Sequence, residues 1–227
     1  MRDPPERRAY HGSPMRVIAV PVKSLERAKG RLSAVLEPLE RAALTLAMLE
    51  DVLDACLAVP GWHTWVVSPD EAVLEVSARR RARPVPEEDP GLLAAIRQVE
   101  EEAAGADALA VVLGDLPLLT APALELALHR LAPVVAVPSE SDRGTNVLLR
   151  RPPGVIPPRF GTDSFRKHRE AAGVLGVPFS SVEAPEMAFD LDRPVDILRL
   201  LGEGGPGRTR AACLEMGLDD RLSVRAE

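Results

Sequence analysis

Residues 108–113, Ala-Leu-Ala-Val-Val-Leu, form an unbroken apolar run of strand length that ends on Gly114-Asp115-Leu116-Pro117. Apolar residues without alternation read as a strand covered on both faces, the condition of a parallel strand inside a layered α/β domain. Such a strand needs similar neighbours, and parallel neighbours need crossover helices between them. The chain offers both. Val17-Ile18-Ala19-Val20, Trp65-Val66-Val67-Ser68 and residues 83–86, 134–138, 147–150 and 177–182 are the other candidate strands. Helical stretches lie between them at 38–58, 70–80, 92–103 and 121–131. In the first of these Leu39, Ala42, Ala43, Leu46, Leu49, Val52, Leu53 and Cys56 share one stripe, Pro38 opens it and Pro60-Gly61 closes it. The alternation predicts an α/β fold with a doubly wound, mostly parallel sheet.

A chain of 227 residues can bury one substantial core. The domain is expected over 15–201. Residues 1–14 are polar and rich in Arg and Pro and read as a disordered tail, and 202–227 as a Gly-rich, weakly helical C-terminal tail. No apolar run approaches the roughly 20 residues of a membrane helix. A net charge of −6 and a shortage of aromatic residues argue against a nucleic-acid surface. Cys56 and Cys213 have neither zinc-ligand nor redox spacing and no secretory signal precedes them, so a cytoplasmic protein with reduced thiols is expected.

Ligands of open parallel sheets collect at the carboxyl ends of the strands. Gly114 frees the backbone to turn there, Asp115 projects, and Pro117 ends the ladder by removing a donor; a turn or N-cap role is the alternative for Asp115. The loop after the first strand carries Lys23, Lys29 and Arg31 where α/β nucleotide enzymes keep a phosphate loop, without the GxxxxGK[ST] pattern. Only three of 28 basic residues are Lys, and two lie in this loop, which favours anion contact over a solvated turn. Gly161-Thr162-Asp163-Ser164 reads as a helix start with free N–H groups suited to a carboxylate or phosphate, and His168 shares a face with Ser164; a plain capped helix is the competing reading. If residues 189–192 are extended, Asp190 and Asp192 point to one face, at a cost unless a cation joins them. Asp192 alternatively caps the helix beginning at Pro194. Glu87-Glu88-Asp89-Pro90-Gly91 reads as an ordinary helix start. A basic loop, Asp115 and the later acidic pair facing one crevice would suit nucleotidyl transfer, with Mg²⁺ held by carboxylates and the acceptor's own phosphate attacking the α-phosphorus.

Five motifs in series carry a resemblance. They are Val20-Pro21-Val22-Lys23 with Ala28-Lys29-Gly30-Arg31-Leu32; Gly114-Asp115-Leu116-Pro117-Leu118; Ser141-Asp142-Arg143-Gly144-Thr145-Asn146; Phe160-Gly161-Thr162-Asp163-Ser164-Phe165 with His168; and Asp190-Leu191-Asp192-Arg193-Pro194. Over about 15–201 the chain resembles the guanylyltransferases that make the activated phospho-acid of the deazaflavin coenzyme F-420. The resemblance implies a nucleotidyltransferase fold, GTP as donor, Mg²⁺, a small phospho-acid acceptor and a homodimer as a plausible assembly. It implies that Asp115, Asp190 and Asp192 bind the metal and that Thr145, Gly161 and Ser164 hold the acid. The resemblance implies phosphoenolpyruvate for bacterial members and 2-phospho-L-lactate for archaeal ones, and the Arg-over-Lys bias looks like a GC-rich bacterium, so phosphoenolpyruvate is the expected acid; 2-phospho-L-lactate, another nucleotide or acceptor, or a silent nucleotide-binding scaffold are the alternatives. One departure is Gly91-Leu92-Leu93, where such enzymes read Gly-Leu-Asn. An amide that could touch the nucleotide is missing, and the backbone or residues 87–89 would have to compensate.

Overall fold

A computed structural model describes residues 15–223, so the expected N-terminal tail lies outside the described residues. In chain order the elements are β1 (Arg16–Pro21), α1 (Pro38–Leu57), β2 (His63–Ser68), α2 (Glu71–Arg79), β3 (Arg83–Pro86), α3 (Leu92–Glu102), β4 (Ala108–Val112) and α4 (Ala121–Leu128). They continue with β5 (Val134–Pro138), β6 (Thr145–Arg150), α5 (Ser164–Val174), β7 (Phe179–Ser181), α6 (Pro185–Ala188), α7 (Pro194–Glu203), α8 (Arg208–Glu215) and α9 (Leu218–Ser223).

The strands form one seven-stranded sheet in the order β3-β2-β1-β4-β6-β5-β7. All neighbours are parallel except β6, which runs antiparallel to both β4 and β5. The sheet is thus mostly parallel, as expected. Every residue of β4 is buried, as its unbroken apolar sequence requires. Alternate residues of β1 feed opposite layers: Ile18 and Val20 pack with Leu49 and Val52 of α1, while Val17 and Ala19 pack with Ala95 and Val99 of α3. No helix among the described residues is long and apolar enough to cross a membrane.

The reversal at β6 has a topological effect. Because β6 is antiparallel, its first residue, Thr145, lies at the edge where β4 and β5 end, and Leu113 N–H donates to Asn146 O at 3.0 Å beside it. Arg150, at the other end of β6, is fully buried; it pairs with Glu100 of α3 and donates to Ile156 O at 3.3 Å.

Residues 208–223 are not a tail. Asp51 of α1 accepts hydrogen bonds from the backbone N–H groups of Arg208 and Thr209 at 2.7 and 2.8 Å and from the Thr209 hydroxyl at 2.6 Å. Cys213, Leu218 and Leu222 are buried in a cluster with Leu44, Met48, Phe189, Leu191 and Ile197. Gly202 and Glu203 end α7, and residues 204–207 connect it to α8. Of the apolar residues in these two short helices, α8 buries Cys213 and α9 buries Leu218 and Leu222, too few for composition to reveal the packing. Smaller differences fall at boundaries: α4 stops at Leu128 rather than 131, and β7 is three residues long rather than six.

Candidate active site

A cavity of about 810 Å³ opens at the carboxyl ends of β1, β2, β3 and β4. One wall is the basic loop with Lys23, Lys29 and Arg31; Asp115 and Asp192 close one side, and Glu87, Pro90, Gly91 and Leu92 line it on the β3 side. The loop is built into the sheet edge. Val22 N–H donates to Val67 O at 2.9 Å, and Leu25 N–H to the carboxylate of Asp70, which also caps α2. Gly114 allows the end of β4 to lie against this loop, since a Cβ there would meet Val22 Cγ2 at 3.0 Å.

At the centre, Lys29 Nζ donates to Asp115 Oδ2 at 2.8 Å and to Asp192 Oδ1 at 2.9 Å, with its side chain only 6% exposed. Lys29 takes a left-handed backbone (φ 51°), a conformation uncommon outside glycine. Arg31 Nη1 adds a bond to Asp192 Oδ2 at 3.1 Å. Burial alone would lower the pKa of Lys29, but the two carboxylates outweigh it and hold the ammonium above its ordinary range. Burial likewise works to raise Asp192, and Lys29, Arg31 and Lys23 override it, keeping its pKa below the usual carboxylate value. Lys23 is exposed on the cavity wall. Asp115 Oδ1 is buried and has no hydrogen-bond partner.

Asp192 does not cap α7. That role belongs to Asp196, whose Oδ2 accepts from the backbone of Asp192 at 2.9 Å and Arg193 at 2.6 Å. Asp190 is turned elsewhere: it accepts from Ser139 Oγ at 2.8 Å and from Ser141 Oγ at 2.9 Å. Burial raises its pKa, the two hydroxyls oppose this, and Asp115 and Asp192 add to it by like charge. Among the described residues no three His, Cys, Asp or Glu side chains converge into a ready-made metal site. Lys29 thus joins Asp115 and Asp192, while Asp190, close enough to feel the charge of both, is bonded to two serines. Neither serine was legible as its partner, because both lie about 50 residues away in sequence.

The other predicted residues form a second group, none of which lines the cavity. Ser164 Oγ donates to Thr145 Oγ1 at 3.1 Å, and His168 Nδ1 lies 3.1 Å from the same oxygen. His168 Nε2 accepts from the backbone N–H of Arg159 at 2.8 Å, so in the neutral ring the proton is on Nδ1 and points at Thr145. All three side chains are buried. Burial, with the charges of Arg150 and Arg159, lowers the His168 pKa to about 4. Two N–H groups at the start of α5 are not free as the sequence suggests: Ser164 N–H donates to Gly161 O and Phe165 N–H to Arg143 O. Gly161 itself is exposed with φ 115°. Leu93 joins the apolar cluster of Ile96, Val111 and Phe160 and is not part of the cavity wall.

Along the sheet edge the order is Glu87 after β3, the basic loop after β1, Asp115 after β4, Thr145 at the start of β6 and Ser139 after β5. A basic cavity on one side of a central carboxylate and a second polar group on the other sit at the edge of a nucleotidyltransferase fold. A solved nucleotidyl transferase from Methanothermobacter thermautotroptrophicus shares the architecture with a TM-score of 0.65 at 18% identity, over 85% of this chain and 98% of that one. The chain belongs to the guanylyl transferase CofC-like family, which matches residues 15–223. It is 44% identical over 192 residues to a phosphoenolpyruvate guanylyltransferase of Rubrobacter xylanophilus, covering 82% of this chain and 93% of that protein. It is 39% identical over 197 residues to a 3-phospho-D-glycerate guanylyltransferase of Phenylobacterium zucineum, covering 82% and 89%.

Proposed function

We propose that the protein transfers GMP from GTP to phosphoenolpyruvate in the cytoplasm and releases pyrophosphate, a step in making coenzyme F-420. The observation that carries this reading is the position of Asp115, between the basic cavity on one side and Thr145 on the other. A nucleotide in the cavity and an acid near Thr145 would meet there. In the reaction an oxygen of the acceptor phosphate bonds to the α-phosphorus as the bond to the β-phosphate oxygen breaks. An ionised phosphate has no proton to lose, so no protein base or nucleophile is required. Lys23, Lys29 and Arg31 neutralise the triphosphate and the departing pyrophosphate.

Asp115 and Asp192 suit Mg²⁺, which is commonly held by one or two carboxylates together with substrate phosphates. Two features support this: the partnerless Oδ1 of Asp115, and the ammonium of Lys29 lying against both carboxylates as a cation would. When bound, the ion would add Lewis-acid neutralisation of the α-phosphate. Asp190 adds a third carboxylate close to the pair, bonded to Ser139 and Ser141.

A second acceptor is favoured by one observation, the 39% identity to a relative named for 3-phospho-D-glycerate. The test is pyrophosphate release from GTP and Mg²⁺ with phosphoenolpyruvate, 3-phospho-D-glycerate and 2-phospho-L-lactate, compared as kcat/KM. A clear preference for either of the last two replaces the acceptor and keeps the class. Inactivity with all three overturns the reading.

A further inference from the structure

The geometry points to Glu87 as the residue that reads guanine, an inference resting on the proposed use of GTP. Asp115 leaves the end of β4 and Glu87 leaves the end of β3. The strands between them are β1 and β2, so three interstrand steps of about 4.8 Å separate the two by roughly 14 Å. A nucleotide with its α-phosphate beside Asp115 crosses such a distance with its ribose and base. The cavity is continuous over this span. Pro90, Gly91, Leu92 and Ala95 give its β3 side an apolar wall on which a flat ring can lie. Glu87 is the one carboxylate of the lining on that side; Glu26 belongs to the basic loop, and Asp115 and Asp192 to the acidic pair.

The carboxylate is already held in place. Glu87 Oε1 accepts the Gly91 N–H at 2.6 Å, and Glu87 N–H donates to Ser68 O at 3.0 Å. Gln98 of α3 pins the loop from behind, donating to Pro86 O at 2.9 Å and accepting from Glu88 N–H at 3.1 Å. The second carboxylate oxygen of Glu87 has no partner among the described residues. Its neighbours Glu88 and Asp89 are exposed and outside the lining, and Leu93 faces the apolar cluster. The amide expected at position 93 would therefore not reach the base here.

Guanine presents two donors side by side, N1–H and the 2-amino group, and an ionised carboxylate only accepts. Adenine places a lone pair at N1 and hypoxanthine lacks the 2-amino group, so each fits worse. Xanthine carries a carbonyl oxygen at position 2. Glu87→Gln keeps an oxygen for Gly91 N–H and for N1–H but turns a donor toward position 2, which matches xanthine and repels guanine.

Binding of GTP, ATP, ITP and XTP to the full chain with Mg²⁺, without acceptor, tests this. The wild type should prefer GTP, and Glu87→Gln should lose roughly 100-fold in GTP affinity while gaining for XTP. Glu87→Ala should bring GTP and ATP close together, and Glu88→Gln should leave the preference intact. A wild type that prefers GTP, with the same preference in both Glu87 variants, overturns Glu87 alone. A wild type indifferent to the base overturns the use of GTP as well.

Discussion

Lys29 and Asp115 meet at 2.8 Å although 86 positions separate them in sequence, and the same ammonium holds Asp192. Lys29 is a cation fixed between two carboxylates, and in the proposed reaction it faces the nucleotide's phosphates. Lys29→Met should lower turnover by about 100-fold, the worth of one preorganised donor at developing charge. Stability should fall by only about 2 kcal/mol, since the two carboxylates are about 30% exposed and water can replace the ammonium. Steady-state kinetics beside urea denaturation separate the two effects; unchanged turnover would leave Lys29 a purely structural cation.

Asp115→Asn keeps the shape of the side chain and deletes its charge. Turnover should drop by about 100-fold or more with little change in melting temperature, and Asp192→Asn should behave alike. Asp190→Asn should cost less, because its oxygens face Ser139 and Ser141. Removing divalent ions with a chelator should abolish pyrophosphate release and leave the fold intact. Full activity after chelation would remove Mg²⁺ from the reaction.

The acceptor group predicts a split in kinetic constants. Thr145→Val should raise the KM for the acid about 10-fold and leave that for GTP nearly unchanged, because Thr145 lies outside the cavity. Equal changes for both substrates would detach Thr145 from the acceptor.

His168 sets an acid-side limit on stability. Its folded pKa of about 4 lies below the ordinary 6.5, so between these values the unfolded chain takes a proton that the folded one refuses. Stability from this group is complete above pH 6.5 and falls as pH drops toward 4, by about 3 kcal/mol in all. The depressed pKa of Asp192 acts only lower, below the usual carboxylate value of 3.8. Denaturation midpoints of wild type and His168→Gln between pH 7 and 4.5 isolate the effect; parallel curves would show that the imidazole is not the titrating group.

Asp51→Ala should cost about 2 kcal/mol, because three donors at the start of α8 lose one acceptor. It should also reduce turnover, since Leu191 and Phe189, neighbours of the acidic pair, share their apolar cluster with Cys213, Leu218 and Leu222. A destabilised variant with wild-type kcat would show that the helices support the fold but not the site.

What could be read in the sequence follows the range of the interactions involved. Asp115 was legible because its strand is local and continuous, and Gly114 and Pro117 mark its end. The shared face of Ser164 and His168 follows from helical spacing, and both reach Thr145. The Lys29–Asp192 bond spans 163 positions and no periodicity announces it. Asp192 as a cap was a reasonable local reading that Asp196, four residues on, displaced. Residues 87–89 read as a helix start that could also compensate for the amide missing at position 93, and the sequence could not single out Glu87 because the distance from β3 to β4 depends on strand order. The residues after 202 misled because each short helix contributes only one or two buried side chains.

The packing of α8 and α9 also orders events in time. Chains are made from the amino end at ~5–20 residues per second, so Lys29, Asp115 and Asp192 all leave the ribosome before the residues that complete the apolar floor beneath Leu191. A growing chain thus carries every charged group of the site while the apolar cluster around Leu191 still lacks Cys213, Leu218 and Leu222. The apolar cluster that holds Leu191, next to Asp192, is therefore completed only after every one of these charged groups has been made.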